Sequence, residues 1–122
     1  SDEPAQKESA SPAECARVLA GEGADTVGIT GGMEPGMMWP HVRDMRGAVD
    51  VPIAFQPTGH RTSGPNDWEP FLESVIIPGI EMGNYALRAK AEGINYIGAD
   101  DGAGPELIRE MAGSLGCVRY SR

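Results

Sequence analysis

Short apolar runs alternate along this chain with stretches whose apolar residues recur at helical spacing. The runs are ADTVGIT (24–30), VPIAFQP (51–57) and INYIGAD (94–100). Each is short and nearly continuous in its apolar character, the pattern expected of strands buried on both faces of a parallel sheet. The stretch CARVLAGEG carries Cys15, Val18 and Leu19 on one helical face and stops at Gly21 or Gly23. Ahead of it, Ser11, Pro12 and Glu14 supply a capping serine, a first-turn proline and an acid three residues after the cap. MMWPHVRDMRGAV (37–49) sets Met38, Val42, Met45 and Val49 at helical spacing, which requires Pro40 to lie in the first turn. GNYALRAKAEG (83–93) offers Tyr85, Leu87, Ala89 and Ala91 for packing and Gly93 as its stop. DGAGPELIREMAGSLG (101–116) opens with a glycine turn and continues as a helix, with Pro105 and Glu106 in its first turn. FLESVIIPGIEM (71–82) reads either as a short helix or as an extended piece broken at Pro78, after a polar loop over 58–70.

Helices and strands thus alternate, which argues for an α/β fold with a parallel sheet and right-handed crossovers. GADTVGIT and GINYIGAD each follow a helix and hint at a repeating αβ unit. Three strands cannot close a barrel, which takes eight. The chain is therefore the last part of a barrel, or it pairs with another chain, or it folds as a small open sandwich. Residues 1–10 are expected to be a disordered tail and 11–122 a single domain.

Charge narrows the partners. The chain has 122 residues, a net charge of −8 and a pI of about 4.6. Nucleic acid and anionic membranes would repel it. No window approaches the roughly 18 apolar residues of a membrane span. The first residues, SDEPAQKESASPAE, lack the basic and apolar regions of a signal peptide. Two cysteines far apart, Cys15 and Cys117, suit a reducing cytoplasm and are expected to be buried small hydrophobes or bystanders.

The phrases GEGADTVGITGG, VPIAFQPTG and AKAEGINYIGADDGAGPELIREMA together resemble the C-terminal part of the homocysteine S-methyltransferase family. That family includes the betaine–homocysteine methyltransferases and the homocysteine-binding module of cobalamin-dependent methionine synthase. The likeness runs from about Ser11 to Leu115, and GINYIGADDGAGPELIR is its most specific part. It implies the C-terminal portion, about three βα units, of a (β/α)8 (TIM) barrel, and transfer of a methyl group to a thiol such as homocysteine, giving methionine. It also implies a zinc ion at the barrel mouth, held by one cysteine after strand six and an adjacent pair after strand eight. The family's ligand positions fall here on Gly31, Asp100 and Asp101. Glycine offers no ligand atom and carboxylates prefer harder ions, so a three-sulfur zinc site cannot form and no cofactor is expected. The activity is then impaired or repurposed. The alternative is a non-catalytic binding or assembly module, or one chain of a split barrel. Its partners would be a small thiol amino acid or methyl donor, and a partner chain or self-association that completes the barrel.

Several residues are candidates for the site. Asp100 and Asp101 can hold a hard cation, grip a cationic substrate, or cap the last helix. GAGPE (102–106) presents backbone N–H groups to an anion or simply makes a tight turn. Thr30, Gln56 and Thr58 lie at strand ends and are expected to hydrogen-bond an amino acid substrate, with Met33 and Glu34 in the loop behind Gly31. His60 is an acid–base group or a solvated loop residue, and His41 is a surface residue. Trp39 and Trp68 are packing anchors or a wall for a quaternary ammonium group.

Overall fold

A computed structural model describes residues 10–62 and 76–117. Trp68, the residues 1–9 of the expected tail and the first part of the ambiguous stretch lie outside the described residues. In chain order the elements are α1 (Pro12–Gly21), β1 (Val27–Thr30), α2 (Pro35–Ala48), β2 (Ile53–Gln56), α3 (Gly79–Ala91), β3 (Tyr96–Ile97) and α4 (Pro105–Ser114). The order is the expected one. The strands are shorter than their apolar runs, because the flanking residues are used in turns and loop contacts.

Local chemistry fixes the helix ends. Ser11 Oγ accepts from the Glu14 amide at 3.1 Å and Glu14 Oε1 accepts from the Ser11 amide at 3.0 Å, a reciprocal capping box. Three helices stop the same way. The Gly23, Gly93 and Gly116 amides bond to Ala20, Lys90 and Gly113 carbonyls, and the next amides reach back to Leu19, Ala89 and Ala112. These are Schellman stops, each with its glycine at positive φ (107°, 85° and 76°). The two stops at Gly23 and Gly93 feed directly into β1 and β3, which is the structural content of the αβ repeat seen in the sequence.

Helix α2 begins at Pro35, earlier than the apolar spacing suggests, so Pro40 lies inside the helix rather than in its first turn. Pro40 has no amide to give the Gly36 carbonyl, and both residues are exposed, so water can take that acceptor. Helix α3 begins at Gly79 after Pro78, which resolves the described part of 71–82: Ile76 is extended, bridging to His60, and the helix follows.

The sheet is wholly parallel in the order β1-β2-β3. Val27, Gly28, Ile29 and Thr30 pair with Ile53, Ala54, Phe55 and Gln56, and Ala54 and Phe55 pair with Tyr96 and Ile97. Val27, Ile53 and Phe55 are buried beneath the helices, with Ile29 and Ile97 half-buried beside them. The alternate residues Thr30, Gln56 and Tyr96 face away and are exposed. The expectation of strands buried on both faces is therefore corrected. The helices pack on one face only, and no layer among the described residues covers the other.

Two apolar clusters lie under the helices. The first joins Ala16, Val27, Met38, Trp39, Val42, Met45, Ile53 and Phe55. The second joins Ile77, Met82, Ala86, Leu107 and Met111, and Ile97 packs against both. The spacing of Met38, Val42 and Met45 is borne out, whereas Leu87 and Ala91 of α3 face solvent and Gly83 and Ala86 are buried in their place. A methyl group on Gly83 would run into Ser114 Oγ, so this glycine lets α3 and α4 approach closely. Helix α1 also turns differently from its pattern. It buries Ala16, and Cys15, Val18 and Leu19 point outward. Both cysteines are free and exposed, not buried. Trp39 stacks edge-on to Phe55 at 5.6 Å, with the Arg88 guanidinium 4.7 Å over its ring.

At the N-terminal end of the strands, Arg46 binds four acceptors. Its guanidinium donates to the Gly93, Val49 and Val51 carbonyls and to Asn95 Oδ1, at 2.8–3.1 Å. Asn95 Oδ1 also accepts from the Ile53 amide at 3.0 Å. One side chain thus ties the end of α2 to the starts of β2 and β3. Arg46→Ala is expected to lower stability by about 2–3 kcal/mol, because it strands the two partly buried carbonyls of Val49 and Val51. The check is urea unfolding, where the midpoint falls and the slope is unchanged. Arg46→Lys should recover only a minor part, since an ammonium cannot span the fork of acceptors.

Candidate functional site

All three strands end on the same side of the sheet, and their exit loops meet there. This is the end at which parallel α/β sheets and barrels place their sites. After β1 the chain runs through Gly31 and Gly32, both at positive φ (71° and 74°), a bend that side chains resist. The Gly31 amide donates to the Gln56 carbonyl at 3.1 Å.

The segment 57–62 after β2 is the hub of the mouth. The Thr58 amide donates to the Met33 carbonyl at 2.8 Å and the Gly59 amide to the Asp101 carbonyl at 2.7 Å. The Asp100 amide donates to the Pro57 carbonyl at 2.8 Å, and the Ile77 amide to the Gly59 carbonyl at 2.9 Å. Gly59 is required here, because a Cβ would lie 2.7 Å from the Ala103 Cα. The loops after all three strands are thereby laced through one short segment.

An ion cluster braces that segment from the helix side. Arg61 makes a bidentate pair with Glu81 at 2.7 and 2.8 Å and lies 3.5 Å from Glu34 Oε2. Hydrogen bonding to Glu81 raises the Arg61 pKa further above its already high value, keeping the guanidinium charged. Glu34 is buried, and its Oε1 accepts from the Thr62 amide at 2.7 Å while Thr62 Oγ1 accepts from the Glu34 amide at 3.0 Å. The sequence reading noted Glu34 for its place in the loop and did not single out Arg61 or Glu81. Nothing in the spacing of these residues signals that two loops and the start of α3 converge there.

The sequence candidates fall into place as follows. Thr30 and Gln56 sit side by side at the strand ends, paired in register and exposed on the open face. The Gln56 side chain lies against Gly98, where a Cβ would be 3.6 Å from its Nε2. Thr58 is only 2% exposed, and its hydroxyl donates to the His60 carbonyl at 3.1 Å. It braces the loop from within. His60 is half-buried, packs against Gly102 and bridges to Ile76. His41 is half-buried on α2, away from the strand ends. Trp39 belongs to the helix-side core, where Arg88 occupies its ring face.

The structure brings Gly31 and Asp100 together. A Cβ on Gly31 would lie 2.8 Å from Asp100 Oδ2, so the carboxylate fills the space that a side chain at 31 would take. Asp100 and Asp101 open a tight turn in which the Ala103 amide returns to the Asp100 carbonyl at 3.1 Å, with Gly102 at φ 80°. The capping reading of the aspartates is corrected: the N-cap of α4 is Gly104, with no side-chain cap. The turn needs Asp100 and Asp101 four and three residues upstream of Gly104, too far back to cap it. Both carboxylates face solvent at the mouth.

These residues do not fit a zinc ion with three sulfur ligands. Gly31 has no donor atom, and a carboxylate oxygen occupies its neighbourhood. Among the described residues no group of three or more His, Cys, Asp or Glu side chains converges as a metal site. None of the helices among them is long and apolar enough to cross a membrane.

No family model matches the sequence. The chain is 33% identical over 121 residues to betaine–homocysteine S-methyltransferase 1 of Danio rerio. The match covers 88% of this chain and 30% of the relative, so the chain spans under a third of that protein's length. The mixed α/β architecture with its small parallel sheet is compatible with part of a barrel. The class defined by fold and comparison is thus a parallel α/β unit distantly similar to a homocysteine methyltransferase.

The Arg61 cluster gives a direct test of the mouth's rigidity. A double-mutant cycle of Arg61→Ala and Glu81→Ala, measured by chemical denaturation, is expected to show a coupling of about 1 kcal/mol. That is the upper end for a partly exposed pair, as the bidentate geometry implies.

Proposed function

We propose that this chain is the C-terminal portion, about three βα units, of a homocysteine S-methyltransferase-like barrel, with a mouth that binds a thiol amino acid or a methyl donor. Methyl transfer at this mouth is impaired or repurposed. The observation that carries the reading is the meeting of Gly31 and Asp100 at the strand ends, in a chain similar to a betaine–homocysteine S-methyltransferase.

The chemistry follows from the donor set. A free thiol has a pKa near 8.5 and is mostly protonated at neutral pH. Methyl transfer needs the thiolate as nucleophile, and soft metal ligation supplies it by stabilising the anion. Two carboxylates at the same place do the opposite, since like charge disfavours the thiolate. The same carboxylates favour a cationic group, such as the ammonium of an amino acid. Thr30 and Gln56 supply neutral hydrogen-bonding groups on the adjoining floor, and Thr58 holds the loop that borders it.

A second reading has its own support. The open sheet face and the outward apolar residues of α1 favour a non-catalytic binding or assembly module. Ligand binding separates the two readings. Titration of the chain with homocysteine, followed by amide NMR, is expected to shift Thr30, Gln56, Gly98 and Asp100, and Gln56→Leu is expected to weaken binding about tenfold, the loss of roughly one good polar contact. An absence of shifts at those residues, for homocysteine and for betaine alike, would leave the assembly reading in its place. The combined variant Gly31→Cys, Asp100→Cys, Asp101→Cys is expected to take up zinc, measured by metal analysis. Gly31→Cys alone is expected not to do so, because Asp100 still fills the space.

A further inference from the structure

Asp101 and Gly102 form the only Asp-Gly pair in the sequence, which has no Asn-Gly. Such a pair is chemically labile. Glycine has no Cβ to obstruct its own nitrogen, so that nitrogen can attack the carboxyl carbon of the aspartate before it. The N–Cγ bond forms, the carboxylic acid loses its hydroxyl, the amide loses its proton, and one water leaves. The product is a five-membered cyclic imide. Water then adds to either imide carbonyl. Addition at Cγ returns aspartate. Addition at the main-chain carbonyl breaks the original peptide bond and leaves the chain running through Cβ and Cγ, an isoaspartate. One water leaves and one returns, so the atoms balance with no other reagent.

Both reacting groups are available. Asp101 and Gly102 are exposed, and among the described residues neither the Asp101 carboxylate nor the Gly102 amide has a hydrogen-bond partner. Their conformation, however, holds the groups apart. The Ala103 amide bonds to the Asp100 carbonyl, and Gly102 at the third turn position has φ 80°. No non-glycine residue described has a positive φ, which makes this a type II turn and excludes type I′. A type II turn sets ψ of its second residue, Asp101, at about +120°. At that angle the Gly102 nitrogen eclipses the Hα of Asp101, whereas ring closure requires it to eclipse Cβ, at negative ψ. Contacts across the mouth secure the turn. The Gly59 amide donates to the Asp101 carbonyl at 2.7 Å and the Asp100 amide to the Pro57 carbonyl at 2.8 Å. The His60 ring lies against Gly102, where a Cβ would be 2.5 Å from its Nδ1.

We propose that Asp101–Gly102 is a site of spontaneous isoaspartate formation, withheld in the closed mouth and released when the 57–62 segment lets the turn open. This holds whether or not the chain transfers methyl groups. Conversion adds one carbon to the main chain and turns the carbonyl that receives Gly59 into part of a free carboxylate. The turn then loses its register, and the mouth loosens.

The test follows isoaspartate at residue 101 by mass spectrometry of proteolytic fragments, at neutral pH and physiological temperature. Three samples are compared: the native chain, the chain unfolded in urea, and a synthetic peptide of residues 97–106. The unfolded chain and the peptide are expected to convert at similar rates, and the native chain at least tenfold more slowly. Amide exchange at Gly59 and Ala103 reports opening of the turn. His60→Ala is expected to raise that exchange and the conversion rate together, at least threefold. Should this variant unfold, urea below the unfolding transition supplies the same comparison on the unaltered chain. Asp101→Glu is expected to remove the product, because its longer side chain would have to close a six-membered ring. In the purified isoaspartate form, Gly59 and Ala103 should exchange at least tenfold faster than before conversion. Native conversion as fast as the peptide's would overturn the proposal, as would faster opening without faster conversion. Equal exchange before and after conversion would also overturn it, since the modification would then leave the mouth unchanged.

Discussion

The arrangement depends on β2 being paired on both sides. Its four residues hold β1 through Val27–Thr30 and β3 through Tyr96–Ile97; the first apolar cluster lies beneath it and meets the second at Ile97 of β3. Phe55 at its centre is fully buried, and burial of such a ring contributes about 1.5–3 kcal/mol. The two ends of β2 are then secured by different means. Arg46 gathers acceptors at the N-terminal end, and the 57–62 segment laces the three exit loops at the C-terminal end. The mouth is thus held by backbone hydrogen bonds, in which Gln56, Asp100 and Asp101 take part through their main chain, and by one ion cluster built from other side chains.

A parallel sheet is ordinarily covered on both faces. Here the helices cover one face, and Tyr96 on the other is 58% exposed. The exposed apolar stripe of α1 has the same origin. Both are local sequences written for contacts that the described residues do not make. This places the chain between two functional readings, since the features that suit a barrel mouth and those that suit an assembly surface coexist without conflict.

The elements were legible in the sequence because their signals are local. The capping box at Ser11, the glycine stops at Gly23 and Gly93, and the Met38–Val42–Met45 spacing each depend on residues within a turn or two. The direction of α1 was not legible: Cys15, Val18 and Leu19 do form an apolar stripe, but periodicity cannot say whether the neighbour they suit is present. The burial of the strands was misread for the same reason, as an apolar run reports a suitable environment and not its occupancy. At the mouth, the positions of Gly31 and Asp100 followed from a family phrase, whereas their contact, the bracing role of Thr58 and the Arg61–Glu34–Glu81 cluster arise from tertiary placement alone. The start of α2 was missed because Pro35 and Pro40 both suit a first turn, and only the fold decides between them.

The central claim is that the described residues cover the sheet on one face and leave the other open. The most direct measurement is solvent paramagnetic relaxation by NMR, with a neutral soluble spin label, on the chain alone. Strong enhancement is expected at the Tyr96 ring and the Thr30 methyl, and little at the Phe55 ring and the Ile53 methyls. Equal protection of all four would mean that the second face is covered after all, and would contradict the account.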